Sequence, residues 1–157
     1  MADTPEIPEA RDTFEKAVAL TIAIMAIIAS VVANHGDNAK TDAIIKTNQA
    51  TDQWGYFQAK SLKQHMDELT LSLLEAQPAA DAARVAKIKA SSANYEAEKT
   101  EIKAKAEELT QESQHLQAIN DRCDEASLVL QIAIILTSIA ILARWKPLWF
   151  LGMALGA

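Results

Sequence analysis

Half of this 157-residue chain is hydrophobic, yet it contains only four Gly and four Pro. That composition favours long helices over sheets, which need turn residues at short intervals. A formal charge of −6 excludes non-specific nucleic-acid binding, which needs a clustered basic surface. The single cysteine, Cys123, excludes an intrachain disulfide framework. It is either a small buried residue or, in an oxidising compartment, an intersubunit crosslink.

In chain order, residues 1–16 form an acidic lead. Within it, "ADTPEIPEARDTFEK" holds five acidic and two basic side chains, whereas the leading region of a secretory signal is normally positive. Residues 17–36 follow, opening "AVALTIAIMAIIASVVA", with no charge before Asp37 other than the titratable His35. Residues 126–143, "ASLVLQIAIILTSIAILA", are the second uncharged run. A bilayer core about 30 Å thick needs roughly 20 helical residues, so both runs are read as retained transmembrane helices. Gln131 is the polar intrusion in the second, of the kind another helix satisfies by hydrogen bonding. Residues 144–157 begin "RWKP" and continue "LWFLGMALGA". This apolar tail is too short to span alone, and reads as a re-entrant or interfacial segment or the opening of a third span.

Between the runs, residues 37–125 carry 16 acidic and 11 basic side chains, one Pro (Pro78) and, after Gly36, one Gly (Gly55). Proline removes a donor and disfavours helix at the residue before it, so "EAQPAADAA" marks a corner between two long helices. Apolar spacing of three and four places a seam at Ala59, Leu62, Met66, Leu69, Leu73 and Ala76 on the outgoing helix. On the return helix the seam runs through Val85, Ile88, Ser92, Tyr95, Lys99, Ile102, Ala106, Leu109, Ser113, Leu116, Asn120 and Cys123. Polar seam positions reduce stability while fixing register and oligomer state. With the corner at Pro78, facing positions sum to about 156, which sets Trp54 opposite Ile102, Lys60 opposite Glu96 and Gln58 opposite Glu98. The expected fold is all-α, an antiparallel helical hairpin (a coiled coil) between transmembrane helices. So thin a hairpin buries little surface alone, and is expected to pack against copies of itself or another protein.

Arg11 and Lys16 precede the first run, and Arg144 and Lys146 follow the second. The positive-inside rule therefore puts the N-terminus and the Arg144–Lys146 loop in the cytoplasm and the hairpin outside or in the periplasm. Catalytic patterns are lacking: there is no Gly-flanked serine, no phosphate loop, and no cysteine with a nearby histidine partner. His35, His65 and His115 lie far apart in the expected register, and "ESQH" matches a Glu-x-x-His spacing only once. No enzyme activity, cofactor or metal is expected.

The densest aromatic group is Trp54, Tyr56 and Phe57, beside Lys60 and Lys63. Trp54 and Phe57 share a helix face and point toward the seam, while Tyr56 is turned toward a neighbour. These five residues, with Tyr95 and Ile102, are the candidate partner contacts, since large aromatics anchor interfaces. A second reading uses several copies to line a small channel with Gln131, Thr137 and Ser138.

The stretch "QATDQWGYFQAKSLKQH", between the first uncharged run and a long charged helical section, resembles an uncharacterised bacterial membrane family, domain of unknown function 4337. The resemblance rests chiefly on Gln49–Ala50, Asp52–Gln53–Trp54, Tyr56, Gln58–Ala59–Lys60 and Lys63–Gln64–His65. It implies a multi-pass protein of the bacterial inner membrane, and that residues 148–157 open a third span. It supplies no catalytic residues. The function expected is that of a non-enzymatic membrane-anchored coiled-coil protein in contact with lipid. It would act as a self-associating scaffold or as an accessory subunit of a larger membrane complex.

Overall fold

A computed structural model describes residues 13–77 and 81–156. Three helices account for nearly all of them: α1 (Thr13–Glu75), α2 (Ala82–Ala143) and α3 (Lys146–Gly156). The described residues contain no strand, and the two long helices pack antiparallel, as the composition leads one to expect. Pro78, the expected corner, and the acidic lead as far as Asp12 lie outside the described residues.

The helix ends have local causes. Asp81 caps α2: its Oδ1 accepts hydrogen bonds from the backbone N–H groups of Ala83 (3.0 Å) and Arg84 (3.4 Å). A carboxylate there satisfies donors that have no intrahelical partner. At the other end of α2, Arg144 takes a left-handed φ of 49°. Its N–H reaches the Ile141 carbonyl and the Trp145 N–H reaches that of Ala140, each at 3.2 Å. This is a Schellman closure, with arginine where glycine is usual. Pro147 follows at once, in the first turn of α3, where its missing N–H costs nothing.

The described residues form two compact units: one comprising those up to Ala39 and from Ala118 onward, the other those within Lys40–Gln117. In the first, apolar unit, the interior is made mostly of small and polar residues. Ser127, Leu130, Ala133, Thr137 and Ala140 of α2 and Gly152 of α3 are buried, together with Val18 and Met25 of α1. Most of the large aliphatics face out: Leu20, Ile27, Val31, Leu128, Ile132, Ile135 and Leu142 are 53–89% exposed. α3 folds back along α2. A Cβ on Gly152 would run into the Thr137 hydroxyl, so only glycine permits this approach. Trp149 locks α3 to α1, donating from Nε1 to Thr21 Oγ1 (3.4 Å) and meeting Phe14 edge-on at 5.6 Å. Gly36 serves the same purpose between α1 and α2: its Cβ would lie 2.8 Å from that of Cys123.

In the second unit the α1–α2 contact is held by alanines and by polar pairs. Ala43 and Ala50, seven residues apart, are buried against the side of α2 that carries Ala106, Leu109 and Ser113. The hydroxyls of Thr47 and Ser113 lie 2.7 Å apart and both reach the Ala43 carbonyl oxygen, at 2.9 and 3.1 Å. Lys46–Glu112 (2.6 Å), Lys60–Glu98 and Lys89–Glu75 (3.0 Å) bridge the helices along their length.

The seam expected on α2 is the one observed: every position from Val85 to Cys123 in that series is buried or half-buried. The seam expected on α1 is corrected. Ala59, Leu62, Met66, Leu69, Leu73 and Ala76 are all exposed, and the half-buried face instead runs through Phe57, Lys60, Gln64, Asp67, Leu71 and Leu74, flanked by Ser61 and Thr70. At about 100° per residue, these two sets lie roughly 160° apart around the helix. The polar face turns inward because α2 opposes it with Tyr95, Glu98 and Lys99, which engage Lys60, Gln64 and Phe57.

Candidate partner-contact surface

The aromatic cluster lies midway along the polar unit. Trp54 and Phe57, one turn apart on α1, meet edge-on with ring centroids 5.7 Å apart. Both are half-buried, while Tyr56, rotated away from them, is 61% exposed. The ammonium of Lys99 stands 5.5 Å from the Phe57 ring centroid, donates to Gln64 Oε1 at 2.8 Å and pairs with Glu96 at 3.1 Å. A lysine is thereby accommodated at a seam position: its stem is covered, and its charge meets an aromatic face and two oxygen acceptors.

Lys60 completes the other flank. It pairs with Glu98 and lies 5.1 Å over the ring of Tyr95. The expected partner was Glu96, two residues earlier, but Glu96 is taken by Lys99. The hydrogen bond from Lys60 holds the Glu98 carboxyl below its ordinary range, and the charges of Lys60 and Lys63 and the Asn94 amide act in the same direction. Glu96 is lowered by hydrogen bonds from Lys99 and Gln64, and Glu112 by its hydrogen bond and charge contact with Lys46. Lys105 is raised by its hydrogen bond to Glu108.

Of the candidate contacts, Trp54, Phe57, Lys60, Tyr95 and Ile102 are gathered at the α1–α2 seam, half-buried. Tyr56 and Lys63 remain on the exposed side of α1. Two open grooves flank the cluster. One, of about 280 Å³, lies between Gln64, Asp67, Leu71, Ile88 and Ser92. The other, of about 270 Å³, lies between Thr47, Trp54, Thr110 and Gln117. Both fall just under the roughly 300 Å³ at which enclosed ligand pockets begin.

The remaining sequence candidates are dispersed. His35, His65 and His115 are exposed, and His65 pairs with Glu68 at 3.2 Å. Among the described residues no three His, Cys, Asp or Glu side chains converge as a metal set. Gln131 faces outward on α2. Thr137, considered as a pore-lining residue, is fully buried and donates to the Ala133 carbonyl at 2.7 Å, so it has no free face.

One feature escaped the sequence reading: the run Leu62, Met66, Leu69 and Leu73 is 57–68% exposed, on the side of α1 away from α2. Its spacing was legible, but not the face it would occupy. No curated protein and no solved structure matches the chain. The family model described as Domain of unknown function (DUF4337) matches residues 14–157. The chain therefore belongs to the DUF4337 family.

Proposed function

We propose that this protein is a non-enzymatic, membrane-anchored coiled-coil protein of the bacterial inner membrane. In this reading it acts as a self-associating scaffold or as an accessory subunit of a larger membrane assembly. The observation that carries the reading is the inverted packing of the apolar unit. Small and polar residues (glycine, alanine, serine and threonine) make up most of its interior, joined by Val18, Met25 and Leu130, while most of its leucine, isoleucine and valine face out. In water that arrangement discards most of the available apolar burial. In a bilayer it is the expected one, since lipid solvates large aliphatics and helices associate through small residues. α1 and α2 each contain a segment long and apolar enough to cross a membrane, with only 11% and 28% of those segments buried.

The polar unit supports an adhesive role. Its interhelical contact is made of ion pairs and hydroxyl bonds that set register, and aromatic and aliphatic side chains are left exposed on α1. The basic residues Lys16, Arg144 and Lys146 beside the apolar runs favour, by the positive-inside rule, an orientation with those ends in the cytoplasm and the polar unit in the periplasm. Lipid is one partner, and further copies or other membrane subunits are the others.

Alkaline carbonate washing and flotation of native membranes test the anchoring. The protein stays with the floated bilayer if the apolar unit is inserted. Release into the wash as a folded soluble species would overturn it.

A further inference from the structure

We infer that the outer face of α1, along Leu62, Met66, Leu69 and Leu73, is the surface on which a second copy of this chain packs, in parallel and in register. This deepens the self-association reading above and rests on it. These four side chains are 57–68% exposed, while the same stretch of α1 turns Lys60, Gln64 and Asp67 toward α2. An isolated pair of helices in water would show the opposite arrangement. The spacing of four, three and four is that of a coiled-coil seam, with Ala59, Met66 and Leu73 in one layer series and Leu62, Leu69 and Ala76 in the other. Because this seam lies about 160° around α1 from its contact with α2, a second α1 can approach without displacing α2.

Charge and orientation select the occupant. In a parallel pair, the residues flanking the seam meet as Gln58 with Lys63, His65 with Thr70, and Ser72 with Gln77. No like charges meet, in a section otherwise dense in Lys and Glu. Two copies inserted in the same bilayer with the same topology run α1 with the same N-to-C sense, which makes parallel pairing the available one. Tyr56 and Lys63, exposed beside the seam, then become contacts between copies.

The area decides how strong such a pair is. From Ala59 to Ala76 the seam is about 26 Å long, and at a helix width of about 10 Å it covers roughly 260 Å². A stable interface takes about 800 Å² per partner. The seam alone is therefore too small to hold a dimer in dilute solution, and relies on confinement in the bilayer to raise the effective concentration of copies.

The test uses the full chain in lipid vesicles, in a Cys123→Ser background, with single cysteines placed along α1 and oxidised mildly. Leu62→Cys, Leu69→Cys and Leu73→Cys should each form covalent dimers at least tenfold more than Glu68→Cys, beside the seam. Solubilising in excess detergent before oxidation should abolish the difference. Equal linking at 68 and 69 overturns the inference. So does linking of Leu62→Cys to Leu73→Cys in mixed vesicles without self-linking of either, which would mean antiparallel pairs. Covalent capture of a different protein in place of a second copy also overturns it.

The double variant Met66→Glu/Leu69→Glu should keep its helical circular dichroism, because both side chains face outward, and lose the dimer. A dimer fraction unchanged in that variant overturns the inference. If no seam cysteine links while native mass spectrometry still shows multimers, the seam assignment fails and the self-association reading stands. If only monomers are seen, both fail.

Discussion

Gly36 and Gly55 sit in the interior of the same helix, and the structure predicts opposite outcomes for replacing them by alanine. On helix propensity alone each change stabilises by about 0.5–1 kcal/mol. At Gly55 nothing lies within 4 Å of the new Cβ, so that gain is realised. At Gly36 the new Cβ would lie 2.8 Å from the Cβ of Cys123. Carbon atoms prefer about 3.5–4.0 Å, and overpacking of this kind costs about 1–3 kcal/mol. At the middle of these ranges Gly36→Ala is destabilising by about 1 kcal/mol net, and Gly55→Ala stabilising by up to about 1. For a chain of this size, about 1 kcal/mol moves the midpoint of thermal unfolding by some 2–4 °C. Circular dichroism melts in a fixed detergent should place the two variants on either side of the parent. Cys123→Gly removes the opposing atom, so the double variant Gly36→Ala/Cys123→Gly should show a favourable coupling of about 1–3 kcal/mol. Cys123→Ala keeps the Cβ and should not rescue. Strict additivity with Cys123→Gly, or a Gly36→Ala variant as stable as Gly55→Ala, would refute the close approach of α1 and α2 at this point.

In α3, Gly152→Ala should lower the melting midpoint more than Gly156→Ala, by the same melts. The first Cβ meets the fixed hydroxyl of Thr137, and the second meets the movable end of Met25. Arg144→Gly relieves a left-handed backbone but removes the 3.4 Å pair with Glu15. Because the Arg144 end of that pair is largely exposed and the contact is long, it is worth little, and a net stabilisation is expected on melting. The carboxyls of Glu96, Glu98 and Glu112 are held below their ordinary range by lysine partners. Their contribution is complete above the unfolded-state value of about 4.3 and disappears as pH falls through the lower folded-state values. Melting midpoints should accordingly be level from neutral pH to about 5 and fall only below about 4. Lys105, raised by Glu108, has the reverse sign, and its contribution is lost only as pH rises above the ordinary lysine range. Ser113→Ala should cost about 1 kcal/mol by removing the bond to Thr47 and one to the Ala43 carbonyl, measured by the same melts.

The course of α2 was legible because each of its seam positions, from Val85 to Cys123, follows the last by three or four residues. The inward residues are moreover the ones that repeat. α1 was legible as a helix but not in its facing. Its largest apolar residues, Leu62, Met66, Leu69 and Leu73, make the strongest periodic signal and lie on the outside. Its inner face is carried by Gly36, Ala43 and Ala50, whose small side chains give little hydrophobic signal, and then by Lys60 and Gln64, which give none. What turns those two inward is the set Tyr95, Glu98 and Lys99 on a helix some 35 residues later, a pairing no local pattern contains. Spacing alone shows that Trp54 and Phe57 share a face and that Tyr56 does not, but not which face meets α2, and the register is displaced by two residues at Lys60, which meets Glu98 rather than Glu96. The return of α3 along α2 rests on a left-handed Arg144, a conformation the sequence does not advertise.

Native mass spectrometry of the protein released directly from its own membrane, with lipid retained, decides whether it works as part of an assembly. An integral multimer of this chain, or a complex of fixed stoichiometry with another membrane subunit, is expected. A bare monomer across the working concentration range would contradict it.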